Sequence, residues 1–325
     1  METIKSMSKI NIDPDGLVDY MSEANDDIMK RGTRFDACGN NVEYTGPMVT
    51  TIRIPMLKRK DWSKSFLLTS DRHFDNALSD INMQVRHLKE AQEKNAGILD
   101  FGDFFCAMQS KGDPRSRYND LRPEHKGDDY FDRLVRHGKK VFAPYADNFI
   151  MIGTGNHERN VVNRHGINLT NHIAKEIGDS GSHPVIPGGI HGFVRFQFKA
   201  PGGSSQSRVL YWHHGSGQGG GGQRGTGKVS RRAAVLNDVD IVVSGHIHEA
   251  WQMDVCRYTL TQQGRVRVDT QMHCCLPTYK YESHGQEVGW WVENEYGPRP
   301  LGGWWLNFSW SEADQQIKTR LIRAD

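Results

Sequence analysis

The stretch Asn148–Glu158 reads NFIMIGTGNHE, a short apolar run that ends in glycines and then in polar side chains. Four apolar residues bounded by turn-forming residues are typical of a buried β-strand. The polar residues Asn156, His157 and Glu158 therefore follow the carboxyl end of that strand. Because ligands of layered α/β proteins collect at the carboxyl ends of strands, the stretch predicts both a strand and a site.

Four other apolar runs also end on Asp or His side chains. The runs are SFLLTSD, AGILDFGD, SRVLYWHH and DIVVSGHIH. Their polar endings are Asp71-Arg72-His73, Gly102-Asp103, His213-His214-Gly215 and Gly245-His246-Ile247-His248. If all five runs are strands of one layered fold, their polar endings meet in one site.

Apolar residues recur at helical spacing between these runs. The predicted helices are Asn76–Lys94, Tyr130–Tyr145, Asn168–Gly178 and Val229–Leu236. Strands and helices alternate first and strands dominate later, which predicts an α/β fold with a mixed sheet. Residues 1–60 are predicted to form an N-terminal extension with a helix at Asp13–Lys30. Residues 61–325 are predicted to form the main domain, whose C-terminal part is rich in strands.

The composition of the 325 residues is that of a globular protein, with 37% hydrophobic and 25% charged residues. The net charge of +2 creates no strong overall field for nucleic acid or membrane, so any basic site is local. No apolar run reaches the length of a membrane helix, and the first residues do not resemble a signal peptide. The five cysteines are odd in number and form no C-x-x-C pair, which favours a reducing, cytoplasmic location without membrane partners.

The polar endings supply carboxylate, amide and imidazole groups, which suit two divalent transition metals with mixed oxygen and nitrogen ligands. In D-x-H and H-x-H the two ligands are one residue apart, and an extended strand would place both on one face. Glycines beside them would allow sharp turns and close approach of the metal and the substrate. A single ending of this kind is weak support, whereas all five in order are specific.

In order, the endings are D-x-H, GD, GNH-[DE], a lone His and GH-x-H, and with them the chain resembles the calcineurin-like metallophosphoesterase superfamily from Ser65 to Glu249. The resemblance implies a four-layer α/β/β/α sandwich of two mixed β-sheets flanked by helices. The segments FGDFFCAMQSKGDPRS, GSGQGGGG and PRPLGGWW also resemble a phage-encoded or prophage-encoded branch. One departure is Cys106, which stands where many members have an acidic residue or Asn.

The resemblance also implies ligands for two divalent metal ions, with manganese first and iron, zinc or nickel as alternatives. Asp71, His73 and His248 would hold the first ion, and Asp103 would bridge both ions. The second ion would be held by Asn156, His246 and one of His213 and His214. We favour His214 because it directly precedes the glycine turn.

The implied reaction is hydrolysis of a phosphoester by metal-activated water, with Asp103 and His157 as the catalytic residues. His157 would lie outside the metal ligands and protonate the leaving oxygen or stabilise the transition state. We expect a phosphodiesterase that acts on nucleotides or nucleic acid. A phosphomonoesterase for phosphoproteins or small molecules is the enzymatic alternative. A binding or scaffold protein that retains a metal site is the non-enzymatic alternative.

Four basic residues are candidate contacts to the substrate phosphate, namely Arg72, Arg159, Arg224 and Lys228. Arg72 could instead turn away from the dicationic site. The run GQRGTGK that ends at Lys228 also fits the core of a nucleotide-binding P-loop. Val229 follows where such a loop needs Ser or Thr for Mg²⁺, so no ATP cofactor is expected. The glycine-rich tract is predicted to be a mobile loop beside the metal site.

Overall fold

The structure is a computed structural model. It describes residues 29–46, 48–108, 120–200, 202–216, 225–260, 263–284, 287–288, 290–293, 295 and 297–324. Within these ranges, no helix is long and apolar enough to cross a membrane. The predicted helix Asp13–Lys30 lies outside these ranges except for its last two residues. Arg224 also lies outside them.

The strands and helices are numbered in chain order. The strands are β1 (Arg34–Ala37), β2 (Asn40–Gly46), β3 (Val49–Pro55), β4 (Ser63–Thr69), β5 (Gly97–Asp100), β6 (Phe149–Ile152), β7 (Ile186–Pro187), β8 (His191–Lys199), β9 (Ser205–His213), β10 (Ile241–Ser244), β11 (Trp251–Leu260), β12 (Val266–Cys275), β13 (Ser283–His284), β14 (Glu287–Val288), β15 (Gly303–Ser311) and β16 (Gln316–Ala324). The helices are α1 (Ile81–Glu93), α2 (Tyr130–Phe142), α3 (Asn156–His165), α4 (Leu169–Gly178), α5 (Val229–Val235) and α6 (Trp290–Glu293). Short 3-10 turns span Pro123–His125, Ala143–Asn148 and Thr226–Lys228.

In the part of the chain that the structure describes, the strands form two large sheets and one small sheet. The six-stranded sheet has the order β16-β15-β4-β5-β6-β7, and the eight-stranded sheet has the order β1-β2-β3-β8-β9-β10-β12-β11. β4 to β7 run parallel, while β15 pairs antiparallel with β4 and β16. In the larger sheet β10 runs parallel to both β9 and β12, whereas β8 is antiparallel to β9. Both large sheets are therefore mixed, as predicted.

The two sheets pack face to face over one apolar core, to which Phe66, Ile150, Phe196 and Trp212 contribute. A second core joins the outer face of the six-stranded sheet to α1, α2 and α4. Its members include Leu88, Ile98, Leu134, Phe149 and Ile173. On the far side, the outward-facing Gln271 of β12 donates to the Leu236 carbonyl directly after α5. Helix, sheet, sheet and helix thus follow one another, which confirms the predicted four-layer α/β/β/α fold.

Two boundaries differ from those expected from the sequence. Residues 34–55 of the predicted extension form β1–β3, and β3 pairs in parallel with β8, so this part is built into the larger sheet. The first predicted helix begins at Ile81 instead of Asn76, because the Asp80 carboxylate caps it by accepting from the Met83 amide. The residues before Asp80 form β-bridges with Leu121 and Lys280 and so cannot continue the helix.

Candidate metal centre

The five polar endings meet at one edge of the sandwich, where both sheets present the carboxyl ends of strands. β4, β5 and β6 lead into the segments that carry Asp71, Asp103 and Asn156. β9 and β10 of the other sheet lead into the segments of His214 and His246. Backbone hydrogen bonds tie these segments together, including His73 N to Asp103 O at 3.0 Å. The cluster is therefore held by both sheets at once.

Asp71, His73 and His248 form the first group of donors, whose ligand atoms lie within 4.8 Å of one another. His73 Nε2 and His248 Nε2 are 3.1 Å apart. Asp71 Oδ1 lies 3.3 Å from His248 Nε2 and 3.9 Å from His73 Nε2. All three side chains are buried.

Asp103, His214 and His246 form the second group, and Asn156 completes it. His214 Nε2 lies 3.0 Å from Asp103 Oδ2 and 3.1 Å from Asn156 Oδ1. His246 Nδ1 lies 2.6 Å from the same Asn156 oxygen. The structure thus brings all seven predicted metal ligands into one cluster.

The two groups overlap through their carboxylates. Asp103 also belongs to a third donor group with His73 and His157, in which its Oδ2 lies 3.7 Å from His157 Nε2. Asp71 Oδ1 lies 4.0 Å from His214 Nε2 of the second group. Asp103 therefore lies between the side chains of the first group and those of the second.

Five of the seven ligands have left-handed backbone conformations. Their φ angles are 52° for Asp71, 45° for His73, 52° for Asp103, 73° for His246 and 55° for His248. D-x-H and H-x-H follow the strand ends, as expected, because β4 ends at Thr69 and β10 at Ser244, so turns and not an extended strand place the two side chains of each pair. The ligands lie in tight turns after the strands. Asp and His are among the few residues that adopt this conformation at modest cost.

Glycines allow these turns to pack against one another. A Cβ on Gly155 would lie 1.9 Å from Asp103 Oδ1. A Cβ on Gly245 would lie 2.6 Å from Asp71 Oδ2, which accepts a hydrogen bond from the His246 amide at 2.9 Å. No side chain fits at either position, so both glycines are required by close approach to a carboxylate.

Opposite charges dominate the electrostatics of the cluster. Burial alone would raise the pKa of Asp71, but the charge of His214 and the close approach of His248 outweigh it and lower this pKa to about 2. Burial disfavours protonation of His214, yet Asp103 and then Asp71 raise its pKa to about 10. Against burial, the neighbouring carboxylates of Asp71 and Glu282 raise the pKa of His248 to about 8. In the protein without metal, protons on imidazoles therefore balance the two carboxylates.

The donor set fits divalent transition metals. Asp71 Oδ1 is a buried carboxylate oxygen that receives no hydrogen bond from any described residue. Such an orphaned acceptor is costly unless a cation binds it. Imidazole nitrogens, carboxylate oxygens and one amide oxygen surround it, and they are the ligands that zinc, iron, manganese and nickel accept.

Glu158 stabilises the turn that carries Asp103. Its buried carboxylate accepts from the amides of Asp103 at 3.2 Å, Phe105 at 2.8 Å and Gly155 at 2.9 Å. Burial and then the charge of Asp103 raise the pKa of Glu158 to about 8. Glu158 therefore supports the site through three hydrogen bonds from backbone amides.

Cys106 and His157 lie at the side of the first group. Cys106, which departs from the pattern of the resembled superfamily, is buried with its Sγ 3.2 Å from Nδ1 of the predicted ligand His73. His157 Nδ1 lies 2.6 Å from the Cys106 carbonyl, which fixes the proton of a neutral ring on Nδ1. Nε2 is then the atom that faces Asp103.

Glu282 is a site residue that the sequence did not reveal. Its carboxylate is buried, and Oε1 lies 3.6 Å from Nδ1 of His248. Neither oxygen accepts a hydrogen bond from a described residue. Glu282 therefore faces His248 from the side opposite the cluster, as carboxylates do behind metal-binding histidines. It lies 34 residues after His248 in a segment without a recognisable motif, so only the tertiary structure identifies it.

Arg72 is turned away from the site. Its guanidinium is fully buried, and its Nε donates to Asp100 Oδ2 at 2.6 Å. It also donates to Thr69 Oγ1 at 2.9 Å and packs against the rings of Phe104, Phe142, Phe149 and Tyr279. Of the two possibilities for Arg72, the structure has the one in which the side chain turns away from the cluster. The side chain instead anchors the turn between Asp71 and His73.

The other candidate residues lie at the surface around the cluster. Arg159 is exposed in the first turn of α3, three residues after Asn156. Lys228 is exposed and donates to the backbone carbonyl and, at 3.2 Å, to the hydroxyl of Ser216. His213, the alternative to His214, is outside the cluster, and its Nδ1 accepts from the Gly215 amide at 2.9 Å.

The fold and the site together define an α/β sandwich with a candidate metal centre. No protein-family model and no curated protein match this chain. Among solved structures it is similar to an uncharacterised protein of Streptococcus pneumoniae described as a predicted phosphoesterase, with 10% identity over 81% of this chain and 91% of that one and a TM-score of 0.29. It is similar to the calcineurin-like phosphoesterase YfkN of Bacillus subtilis, with 11% identity over 81% and 91% of the two chains and a TM-score of 0.33. It is also similar to Vps29 of Chaetomium thermophilum, with 10% identity over 80% and 95% and a TM-score of 0.33. Such values establish no family for the chain.

Proposed function

We propose that this protein is a metal-dependent phosphoesterase of the calcineurin-like type that hydrolyses phosphodiester bonds in nucleotides or nucleic acids. The observation that carries the proposal is the pair of overlapping donor groups around the orphaned oxygen of Asp71. Two ions are proposed, with manganese first and iron, zinc or nickel as alternatives. The proposed ligands are Asp71, His73 and His248 for one ion, Asn156, His214 and His246 for the other, and Asp103 for both.

When bound, two divalent ions supply a water of lowered pKa and neutralise negative charge on the phosphate. The protein fixes the donors in advance, since Asp71 and Asp103 are buried and Glu158 holds the turn of Asp103 through three amides. This arrangement lowers the reorganisation that the reaction requires.

His157 is the proposed general acid. Because Nδ1 is bonded to the Cys106 carbonyl, the second proton of the imidazolium lies on Nε2, 3.7 Å from Asp103 Oδ2. A phosphoester beside Asp103 would receive that proton on its leaving oxygen. The half-buried ring is accessible to such a substrate.

The direct test is hydrolysis of bis-p-nitrophenyl phosphate and p-nitrophenyl phosphate by purified protein with Mn²⁺. We expect turnover of both and preference for the diester. Asp103→Asn should lower kcat/KM by at least about 10³-fold, because a shared ligand is lost. His157→Ala should lower kcat by about 10²-fold or more while the metal content stays that of the wild type. The exposed residues Asp132 and His172 provide the matched controls Asp132→Asn and His172→Ala.

The two alternatives predict other outcomes of the same experiment. Preference for the monoester would support a phosphomonoesterase. Bound metal without turnover of either substrate would support a binding or scaffold protein. Neither bound metal nor turnover would contradict the proposed metal centre itself. Membership of a phage-encoded or prophage-encoded branch stays a prediction from the sequence.

A further inference from the structure

Four half-buried rings form an aromatic shelf on the outer face of the eight-stranded sheet, made of His191, Phe193, Tyr211 and His213. They are cross-strand neighbours, since His191 is paired with His213 and Phe193 with Tyr211 in the register of β8 and β9. The ring centroids are 5.9 Å apart in the first pair and 5.1 Å in the second. His191 and Tyr211 are 6.2 Å apart, so the four rings form one continuous surface.

An uncompensated guanidinium lies beside the aromatic shelf. Arg232 of α5 is half-buried and close enough to Tyr211 and His213 for its charge to act on both. No described residue forms an ion pair or a side-chain hydrogen bond with it. Arg257, whose charge also reaches this face, is bound by both carboxylate oxygens of Asp269 at 3.1 Å. Arg257 is therefore neutralised by its carboxylate partner, whereas the positive charge of Arg232 remains available to a ligand.

The aromatic shelf is adjacent to the metal centre. His213 is the last residue of β9 and the proposed ligand His214 follows it. The His214 ring contacts Asp103 in the cluster, whereas the His213 ring stacks with His191 on the outer face of the sheet. Lys228, one turn before Arg232, is held by Ser216 just beyond His214. A ligand that extends from the metal centre over this sheet edge would meet two cations and then the rings.

We propose that the aromatic shelf with Arg232 and Lys228 binds the part of a single-stranded nucleic acid that extends beyond the scissile phosphodiester. This inference rests on the proposed function and names its substrate class. Aromatic rings stack on bases of any sequence, and neighbouring cations bind the backbone phosphates. Charge favours this occupant over an apolar peptide, because a peptide without acidic groups would leave Arg232 unpaired.

The test is binding of a fluorescein-labelled octathymidylate to the full chain in chelator, followed by anisotropy over a range of salt concentrations. Arg232→Gln should weaken binding about tenfold and reduce the slope of log Kd against log salt by about 0.7. Tyr211→Leu should weaken binding about 5- to 100-fold without changing that slope. Arg231→Gln, an exposed neighbour on the same helix, is the matched control and should stay within about twofold of the wild type.

Equal effects of Arg232→Gln and Arg231→Gln would overturn the proposal, because only general charge would then matter. Displacement of the oligonucleotide by an equal concentration of inorganic phosphate would also overturn it, since a simple anion site needs no rings. Binding is measured without metal, so it is independent of turnover. If the wild type fails to hydrolyse bis-p-nitrophenyl phosphate, the proposed function fails. If it hydrolyses the diester and the variants bind the oligonucleotide normally, only the aromatic shelf is refuted. Far-UV circular dichroism checks that each variant is folded.

Discussion

His213 and His214 are neighbours in the chain but belong to opposite environments. His214 is fully buried among carboxylates, with its Nε2 3.0 Å from Asp103, and its pKa is raised to about 10. His213 is half-buried on the outer face, where burial and then the charge of Arg232 lower its pKa to about 4. Consecutive side chains along an extended chain point to opposite faces. His214 therefore faces an acidic environment and His213 a basic one.

The comparison shows what makes a histidine at a strand end a candidate ligand. Both imidazoles precede the same glycine turn, and both are close to the edge of the sheet. Only one of them faces carboxylates that would share a cation with it. The other faces an arginine, which excludes a cation from the same face.

The largest expected effect separates these two histidines directly. His214→Ala should remove a ligand and lower kcat/KM for the diester by about 10³-fold, with loss of bound metal. His213→Ala should keep the full metal content, because the His213 ring lies on the outer face of the sheet, beside Arg232. Elemental analysis after dialysis measures the metal. Equal loss of metal in both variants would contradict the assignment of the two faces.

The second prediction compares Arg72, which is buried and paired with Asp100, with Arg232, which is half-buried and has no carboxylate partner among the described residues. Arg72→Gln should lower the free energy of unfolding by about 3–5 kcal/mol, because Asp100 is left buried without its partner. Arg232→Gln removes no ion pair and should change stability by less than about 0.5 kcal/mol. Urea denaturation gives both values. If Arg72→Gln raised KM at unchanged stability, Arg72 would be a substrate contact after all.

The third prediction concerns the carboxylate behind His248. Glu282→Gln keeps the shape of the side chain but removes the charge that orients the imidazole, so metal affinity should fall about 10- to 100-fold. Isothermal titration calorimetry with Mn²⁺ measures the affinity. A drop in the stability of the metal-free protein with unchanged affinity would show a purely structural role for Glu282.

The smallest expected effect is on the pH dependence of the free energy of unfolding, and it concerns His273, which lies near Arg232 and Arg257. Burial, then the charges of Arg232 and Arg257, lower the pKa of His273 to about 4, whereas the unfolded chain has the ordinary value near 6.5. Between these values the unfolded state binds more protons, so His273 destabilises the fold as the pH falls below about 6.5. His273→Gln should therefore gain about 1–2 kcal/mol relative to the wild type at pH 5 and nothing at pH 8. An equal difference between the two proteins at both pH values would argue against a neutral buried His273.

The sequence was informative where one short segment carries its own signal. Apolar runs with polar endings predicted β4, β5, β6, β9 and β10, and with them the residues that the structure brings together. It was uninformative where distant segments meet. The pairing of β3 with β8, the approach of Glu282 to His248 and the position of α5 depend on tertiary packing. No local pattern records such contacts, because each partner is an ordinary residue of its own segment.

The left-handed turns at the strand ends restrict which substitutions the candidate metal centre tolerates, whether they arise by design or by evolution. Asp, Asn and His tolerate that backbone far better than most residues. A replacement by Cys at Asp71, His73 or His248 would change the donor atom and also strain the chain. The backbone conformation thus limits which residue types can serve as ligands at these positions, whatever the metal. A change of metal preference is more accessible at Asn156 and His214, which are absent from the positions with left-handed backbone.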